Sequence, residues 1–248
     1  MYDFIHYMKI VIAEKYSKFS DFVNNVPMRF DDEGSEILKQ KRNSVRRFVQ
    51  DGMTFVVKRY KRVNWLQGII YTFFRSTKAE RAYRFAAEMR RRGINTPHEI
   101  AYIETKKRGL FSVGYFISEE CKGKEVYEEV IDKRDYDRSL VDAVIDYIVL
   151  MHERGVLHGD LNSANFLYTK DEYGRYSLEV IDTNRSHFCN GEPTYTQCLQ
   201  NLKRFTHRRD LYEYVVRGYA RRRGWNEEKT LSDAMRLLDK FENRKIKL

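Results

Sequence analysis

The chain has 248 residues and carries 46 Lys and Arg against 36 Asp and Glu, a formal net charge of +10. This length is sufficient for one large domain or two smaller lobes, and the low Pro content without any low-complexity run excludes a long disordered linker. The positive charge predicts a surface that attracts polyanions such as nucleic acid, phosphate esters or an anionic membrane face, but it does not choose among them.

The N-terminal stretch and the cysteines point to a cytoplasmic protein. Residues 1–19 contain acidic side chains and no long apolar core, so they are expected to form neither a signal peptide nor a membrane span. The longest apolar run elsewhere, around residues 68–74, is too short to cross a bilayer. Three cysteines without a spacing pattern are typical of reduced thiols. A zinc site is disfavoured because its candidate ligands match no metal-binding spacing: Cys189, Cys198, His187 and His207.

The first half of the chain reads mainly as strands. Residues 1–20 are the exception, since apolar residues at helical spacing predict a helix there: Phe4, Tyr7, Met8, Val11, Ile12 and Tyr16. Between residues 36 and 60, β-branched and aromatic runs flank Asp51-Gly52, a strong hairpin-turn signal. A helix is predicted from the N-cap Thr77 to Gly93, and two strands follow over residues 98–104 and 111–119.

The second half reads mainly as helices. One broad apolar face predicts a helix over Arg138–Glu153, and residues 195–242 predict two or three more, with Gly218 and Gly224 as punctuation. A hairpin interrupts them, with strands at residues 165–168 and 178–181. The predicted fold class is therefore α+β, with a small antiparallel β lobe with one main helix over residues 1–120 and a larger, mostly helical lobe over residues 121–248.

The hairpin lies between two polar stretches, HGDLNSANF at residues 158–166 and LEVIDTNRSHF at residues 178–188. They supply Asp160, then Asn165 five residues later, then Asp182 after a further 17 residues. Phosphoryl transfer needs a carboxylate that orients the attacking hydroxyl and oxygen ligands for Mg²⁺, and this spacing offers both. The alternative is purely structural, with Asp160 and Asn165 capping a turn and Asp182 ending a strand.

This layout resembles the catalytic loop H-R-D-x-x-x-x-N and the metal-binding Asp of the protein-kinase-like superfamily. By that resemblance Asp160 is the catalytic base, and Asn165 and Asp182 hold the metal ions.

The same superfamily uses a strand Lys that grips the α- and β-phosphates and a helix Glu that holds this Lys. Lys58 in FVVKRY resembles the strand Lys, and Lys61 is the next candidate. Glu80 is the leading candidate for the helix Glu, with Glu88 second.

Several features depart from the protein-kinase pattern. No G-x-G-x-x-G precedes Lys58, and the tip of the first hairpin falls near residues 41–44. Gly159 replaces the loop Arg, Asp182-Thr183-Asn184 replaces D-F-G, and no A-P-E follows. Only 66 residues remain after Asp182, too few for a long activation segment with a full helical lobe. These departures favour a kinase of a small molecule or a glycoconjugate over a protein kinase.

Seven stretches carry a narrower resemblance: RNSV, VVKRYKR, STKAERAY, RRGINTPHEIAYIE, HGDLNSANFLY, VIDTNRSHF and NLKRF. Through them, residues 20–224 resemble the lipopolysaccharide core kinases, which phosphorylate Kdo or heptose next to lipid A in Gram-negative bacteria. The resemblance implies ATP and Mg²⁺ as cofactors, an anionic lipid A-core glycolipid as acceptor, and a place at the cytoplasmic face of the inner membrane. It leaves open which sugar is phosphorylated.

Other readings of the chain stay open. The enzyme could act on a protein or another small molecule, or the fold could bind nucleotide or glycolipid without catalysis. Charge and Tyr content would favour nucleic acid as a partner. No nucleic-acid-binding fold is recognised, however, so nucleic acid is not an expected partner. Basic runs could hold the protein at an anionic membrane, and the amphipathic residues 1–20 could lie on that surface, although packing against the small lobe is favoured.

Overall fold

The computed structural model of the protein describes residues 8–33, 36–40 and 43–246. Contacts within the chain divide it into two compact units. The first unit comprises Met1–Glu88 and Pro97–Glu120, and the second comprises Met89–Thr96 and Cys121–Leu248.

The first unit is built on a six-stranded sheet with the order β1-β5-β6-β4-β3-β2, in which all neighbouring strands are antiparallel. Its strands are β1 (Met8–Ile12), β2 (Glu36–Gln40), β3 (Ser44–Gln50), β4 (Met53–Arg59), β5 (Glu99–Lys107) and β6 (Leu110–Glu119). Its helices are a 3₁₀ helix (Glu14–Phe19), α1 (Ser20–Arg29), α2 (Trp65–Phe73) and α3 (Lys78–Arg91), of which the last three residues are counted with the second unit.

The predicted hairpin around Asp51-Gly52 is confirmed as β3 and β4. Asp51 and Gly52 have φ of 51° and 75°, the positive angles that a two-residue turn of this kind needs. The turn sets the register that places Lys58 opposite Val45 on β3, and β6 places Phe116 on the other side of Lys58. Lys58 therefore lies on a strand with neighbours on both sides.

Side chains of β4 alternate between two faces of the sheet. Phe55 and Val57 are fully buried with aromatic and aliphatic residues of α1 in one core. Tyr60, two residues beyond Lys58, packs on the opposite face in a second cluster with Ala79 and Ala82 of α3. Lys58 consequently projects from the face that α3 covers.

Helix α3 confirms the prediction of a helix that starts at Thr77. The Thr77 hydroxyl accepts a hydrogen bond from the backbone NH of Glu80 at 3.1 Å, as an N-cap does. Small residues let the helix approach the sheet closely, and a Cβ added at Gly114 would lie only 2.9 Å from the Cβ of Ala79. Gly93, with φ of 74°, follows the last turn.

The predicted N-terminal helix is wrong for the described residues. Met8–Ile12 forms β1, an edge strand that pairs with β5, and Ala13 continues this pairing through a 2.8 Å bond to Ile100. The run Ile10-Val11-Ile12 is β-branched and fits a strand better than a helix. Helix α1 begins only at Ser20, and residues 1–7 lie outside the described part of the chain. The tip residues Lys41 and Arg42 also lie outside it.

The second unit is mostly helical. Its helices are α4 (Val126–Val130), α5 (Arg138–Glu153), α6 (Tyr195–Leu202), α7 (Arg209–Arg222) and α8 (Glu227–Ile246), with short 3₁₀ helices at Ser163–Asn165 and Thr183–Arg185. Its strands are β7 (Lys124–Glu125), β8 (Val156–Leu157), β9 (Phe166–Lys170), β10 (Tyr176–Val180) and β11 (His187–Phe188). The predicted α5 and the β9–β10 hairpin are confirmed.

Helix α5 forms the centre of this unit. Asp137 caps it by accepting bonds from the backbone NH groups of Ser139 and Leu140. The predicted role of Gly218 as punctuation is wrong, because Gly218 lies inside α7. A Cβ there would come within 2.8 Å of Ile145 on α5, so the glycine permits close helix packing. Gly224, with φ of 66°, does follow the end of α7, as predicted.

Candidate active site

The candidate site of the second unit is formed by two segments, the HGD loop (residues 158–165) and the IDTNR segment (residues 181–185). The loop follows α5 and β8, and the hairpin β9–β10 joins it to the IDTNR segment. The backbone NH of Ile181 donates to the carbonyl of Asn165 at 2.9 Å. This bond brings Asn165 beside Asp182.

His158 connects the two segments through hydrogen bonds of its buried ring. Its Nε2 lies 3.0 Å from the carbonyl oxygen of Ile181, which can only accept, so Nε2 carries the proton. Its Nδ1 then accepts from the backbone NH of Asp160 at 3.3 Å. Both bonds require the neutral ring, and complete burial lowers the pKa of His158. His158 therefore sets the backbone position of Asp160.

Asn165 is oriented by the loop that contains Asp160. Its Nδ2 donates to the backbone carbonyl of Asp160 at 2.8 Å. The amide nitrogen is thereby fixed on the loop, and Oδ1 is left as an oxygen that can ligate a cation.

Asp182 has a left-handed backbone, with φ of 60° and ψ of 45°. Asp and Asn tolerate this conformation better than other residues with a side chain. The Asn184 amide donates to Asp182 Oδ1 at 2.5 Å and so holds the carboxylate within the segment. The turn at Asp182 directs the chain back toward the HGD loop, where Arg185 meets Asp160.

Arg185 is a candidate functional residue that the sequence analysis missed. Its Nη1 lies 3.4 Å from Asp160 Oδ2, and both side chains are partly exposed. The contact places a cation beside the carboxylate assigned as base. The only signal in the sequence was a basic residue three positions after Asp182, where the protein-kinase pattern gives no such residue.

Position 159 of the HGD loop must be a glycine for a steric reason. A Cβ added at Gly159 would lie 1.9 Å from the carbonyl oxygen of Arg185, a backbone atom that cannot move aside easily. The close approach of the IDTNR segment therefore excludes any side chain at this position. This explains why the loop lacks the Arg of the protein-kinase pattern.

Two elements from elsewhere in the second unit support these segments. Asn201 on α6 donates from Nδ2 to the carbonyl of His158 at 2.7 Å, and Phe205 accepts from the backbone NH of Ser163 at 3.2 Å. The stretch NLKRF thus supports the loop. In the stretch RRGINTP, the Asn95 carbonyl accepts from the Val180 NH at 3.0 Å, and the Thr96 hydroxyl donates to the Val180 carbonyl at 2.7 Å. These bonds fix the strand that leads into Asp182.

A second buried histidine completes this support. His152 Nε2 donates to Asn201 Oδ1 at 3.0 Å, and its Nδ1 accepts from the Tyr219 hydroxyl at 2.7 Å. Burial lowers the pKa of His152 to about 4. Both histidines are therefore neutral in the folded protein near pH 7.

We expect the protein to lose stability on acidification below pH 6.5. Unfolding raises the pKa of His152 from about 4 to its ordinary value, so the unfolded chain binds a proton that the folded chain does not, and stability falls between pH 6.5 and 4. The contribution of His152 between pH 7.5 and 5 is about 2 kcal/mol. Urea unfolding at several pH values measures this slope. His152→Gln keeps a donor and an acceptor but cannot be protonated, so it should show a shallower slope; equal slopes would contradict the assignment.

Lys58 and Glu80 are the two site residues predicted in the first unit, and each has its own set of contacts. Lys58 is half-buried on β4, and its Nζ lies 5.5 Å from the centre of the Tyr60 ring. Glu80, in the first turn of α3, lies 4.0 Å from Lys9 Nζ and 3.5 Å from Arg84 Nη1. Hydrogen bonding to Tyr102 and the nearby acidic groups raise the pKa of Lys9. The pairing of Lys58 with Glu80, or with Glu88 as the second candidate, stays a prediction.

The donor atoms of the second unit suit a hard cation. An amide oxygen from Asn165 and a carboxylate from Asp182 are the oxygen ligands that Mg²⁺ prefers, and phosphates and water normally complete its shell. Within residues 8–33, 36–40 and 43–246, no group of three or more His, Cys, Asp and Glu side chains is placed to hold a metal by itself. Cys121, Cys189 and Cys198, all among the described residues, are not joined by disulfides.

The fold is protein-kinase-like, and these two segments form its candidate site. The α+β fold predicted from the sequence is confirmed by similarity to the solved structure of WaaP in complex with acyl carrier protein. The TM-score is 0.61 at 20% identity, covering 96% of this chain and 98% of that chain.

The chain belongs to the lipopolysaccharide kinase (Kdo/WaaP) family, whose sequence profile it matches over residues 34–240. The predicted family is therefore confirmed. The 3-deoxy-D-manno-octulosonic acid kinases of two Vibrio vulnificus strains, YJ016 and CMCP6, are 26% identical to it over 157 residues. These matches cover 61% of this chain and 64% of the relatives, slightly less than two thirds of their length.

Proposed function

We propose that this chain transfers the γ-phosphoryl group of ATP to a sugar hydroxyl of the lipopolysaccharide inner core, and that the sugar is Kdo. The observation that carries the proposal is the hydrogen-bonded pair of segments that holds Asp160, Asn165 and Asp182 together. Family membership supports the reaction class. The relatives named as 3-deoxy-D-manno-octulosonic acid kinases favour Kdo over heptose.

Asp160 acts in this proposal as the base that orients the acceptor hydroxyl and takes its proton. Its carboxylate is partly exposed and can reach a hydroxyl from solution, while His158 fixes its backbone. Arg185 lies close enough to orient the carboxylate and to attract the transferred phosphoryl group. Bonds from His158, Asn165 and Phe205 hold the backbone of the loop in position for these roles.

Asn165 and Asp182 would hold Mg²⁺, which would neutralise charge on the phosphates of ATP. Lys58 would bind the α- and β-phosphates of ATP. We assign nucleotide binding to the first unit and the acceptor chemistry to the second, as the sequence predicts. A catalytically silent fold is disfavoured, since the chain contains these three polar residues together with Asp160.

The proposal is tested with purified protein, ATP, Mg²⁺ and two deacylated core oligosaccharides, one ending in Kdo and one extended with heptose. Mass spectrometry should detect one added phosphate on the Kdo oligosaccharide, and phosphorus NMR should place it. Phosphate on heptose alone would replace the proposed acceptor, and transfer to neither would contradict the activity. Excess EDTA should abolish the transfer, because the site relies on Mg²⁺.

Lys58→Met should lower turnover by about 10²-fold or more, the scale seen when one preorganised donor is removed from developing charge. Met keeps most of the volume of the half-buried side chain, so the fold should persist. Lys61→Met is the matched control, since Lys61 is an exposed lysine just after the same strand. Steady-state kinetics measure both variants. Near wild-type turnover in Lys58→Met with a loss in Lys61→Met would move the phosphate-binding role to Lys61.

A further inference from the structure

Helix α2 carries an uncovered face of large apolar side chains. Trp65 and Phe73 are each 69% exposed, and Phe74, at the C-cap, is 80% exposed. Leu66 and Ile70 are about half exposed between them. A contiguous apolar surface of this kind is uncommon on a monomeric protein and usually marks an interaction site.

The helix is attached firmly through its other side. Gly68 packs so closely on β6 that an added Cβ would lie 2.9 Å from the carbonyl oxygen of Phe111. Thr72 Oγ1 accepts from the Phe111 NH at 2.9 Å, and Tyr71 contacts the Phe111 ring. The apolar side chains project outward because Gly68, Tyr71 and Thr72 occupy the inward face.

The chain segments that contain α2 and the strand on which it packs are basic. Residues 52–79 contain six Lys and Arg and no Asp or Glu, and residues 105–118 contain three Lys and Arg and no Asp or Glu. Exposed cations precede and follow the helix, at Arg62 and Arg75. Others lie at the end of β5, Lys106 and Lys107, and on the turn before β6, Arg108; α2 packs on β6.

We propose that α2 is a docking helix that lies in the surface of an anionic lipid bilayer, with Trp65 and Phe73 inserted and the nearby cations on the lipid phosphates. Interfacial helices have an apolar face and basic surroundings, and Trp is favoured at the membrane interface. Each well-placed Lys or Arg adds attraction to an anionic surface, and salt screens this attraction. A protein partner fits less well, because Gln67 is the exposed polar side chain among five large apolar ones, and protein interfaces usually mix apolar and polar contacts more evenly.

This inference assigns the membrane contact to a place different from the one considered from the sequence. Met8–Ile12 belongs to the sheet, and Tyr16 and Phe19 are buried in the core with α1, so the described part of this segment, residues 8–20, presents no comparable apolar face. The helix α2 is not part of the proposed active site. The proposed docking therefore stands or falls independently of the phosphoryl transfer.

Vesicle binding tests the proposal without nucleotide. The protein has two Trp, and Trp225 packs between Tyr195 and Tyr219, so a Trp225→Phe protein reports Trp65 alone. Its emission should shift to the blue with vesicles of phosphatidylcholine and phosphatidylglycerol, and brominated lipids should quench it. Pure phosphatidylcholine should bind more weakly, and salt should weaken binding to the mixed vesicles.

The double variant Trp65→Ser with Phe73→Ser should lose at least about tenfold in co-sedimentation with the mixed vesicles. Tyr173→Ser is the matched control, because Tyr173 is a 75% exposed aromatic residue on the β9–β10 turn and should bind as wild type. The double variant should still phosphorylate a water-soluble acceptor if the wild type does. Unchanged Trp65 emission, or equal sedimentation of the double variant and wild type, would overturn the proposal. Self-association that the double variant abolishes, with no vesicle binding by wild type, would overturn it in favour of a second copy of the chain.

Discussion

Replacing Asp160 by Asn should lower phosphoryl transfer by about 10²- to 10⁴-fold, the usual contribution of a positioned acid-base group. The side chain keeps its shape and loses only its charge and its ability to take a proton. The backbone of the loop should not change, because His158 bonds the Asp160 NH and Asn165 bonds its carbonyl. Single-turnover measurements with saturating ATP and Mg²⁺ isolate this step from binding.

Binding of ATP with Mg²⁺ should survive in the Asp160→Asn variant, since Asp160 is assigned no metal. Asp146→Asn is a matched control. Asp146 is an exposed carboxylate of the same unit that pairs with an arginine, Arg222, as Asp160 pairs with Arg185. If Asp146→Asn lowered the rate as much as Asp160→Asn, the loss would reflect a general charge effect. Normal transfer by Asp160→Asn would contradict its role as base.

Features with a local cause were predictable from the sequence. Asp51-Gly52 specifies a two-residue turn through its positive φ angles, and Thr77 caps α3 through a bond that spans three residues. The loop spacing from Asp160 to Asn165 is also local, because one side chain bonds the backbone of the other. In each case the residues that determine the conformation are close together in the chain.

The N-terminal strand and α2 were missed because their environment depends on distant residues. Met8–Ile12 has an apolar pattern that suits a helix or a strand, and its pairing with β5, more than 80 residues later, decides between them. The apolar run at α2 was recognised only as too short for a membrane span. Its exposure follows from the close fit of Gly68 on Phe111, which the sequence does not reveal.

Contacts within the candidate site also depend on residues that are distant in the sequence. Arg185 meets Asp160 across 25 residues, and Asn201 meets the loop across 43. Both contacts depend on how the hairpin and α6 return to the HGD loop. The absence of the loop Arg was visible in the sequence, but its cause, the carbonyl of Arg185 against Gly159, required the fold. Departures from a family pattern can thus mark positions where backbone segments approach closely.

No helix among the described residues is both long and apolar enough to cross a membrane. Where the proposed acceptor is a membrane glycolipid, the proposed docking of α2 would place the enzyme at the surface that carries it. The basic residues near α2 would also raise the local concentration of an anionic acceptor. Salt should therefore weaken activity on vesicle-bound acceptor more than activity on a deacylated one.

Replacing Asp182 by Asn should weaken the Mg²⁺-dependent binding of ATP by at least about tenfold, since even residues outside the ligand shell change metal affinity by 10- to 100-fold. Asn is the substitution that best isolates the effect of the charge. Asp182 has a left-handed backbone that Asn also adopts readily, and Asn keeps an Oδ1 that can accept the bond from Asn184. The variant therefore removes the charge without adding backbone strain, which Asp182→Ala would not achieve.

A titration of ATP with and without Mg²⁺ separates Asp182→Asn from Asp160→Asn. Both variants should transfer phosphate slowly, but only Asp182→Asn should lose the gain in ATP affinity that Mg²⁺ confers on the wild type, because only this variant lacks a charged ligand of the ion. Higher Mg²⁺ concentrations should partly restore binding to Asp182→Asn and leave the slow transfer of Asp160→Asn unchanged. The reverse pattern, with Mg²⁺-dependent binding lost in Asp160→Asn and kept in Asp182→Asn, would exchange the two roles and make Asp160 the metal ligand.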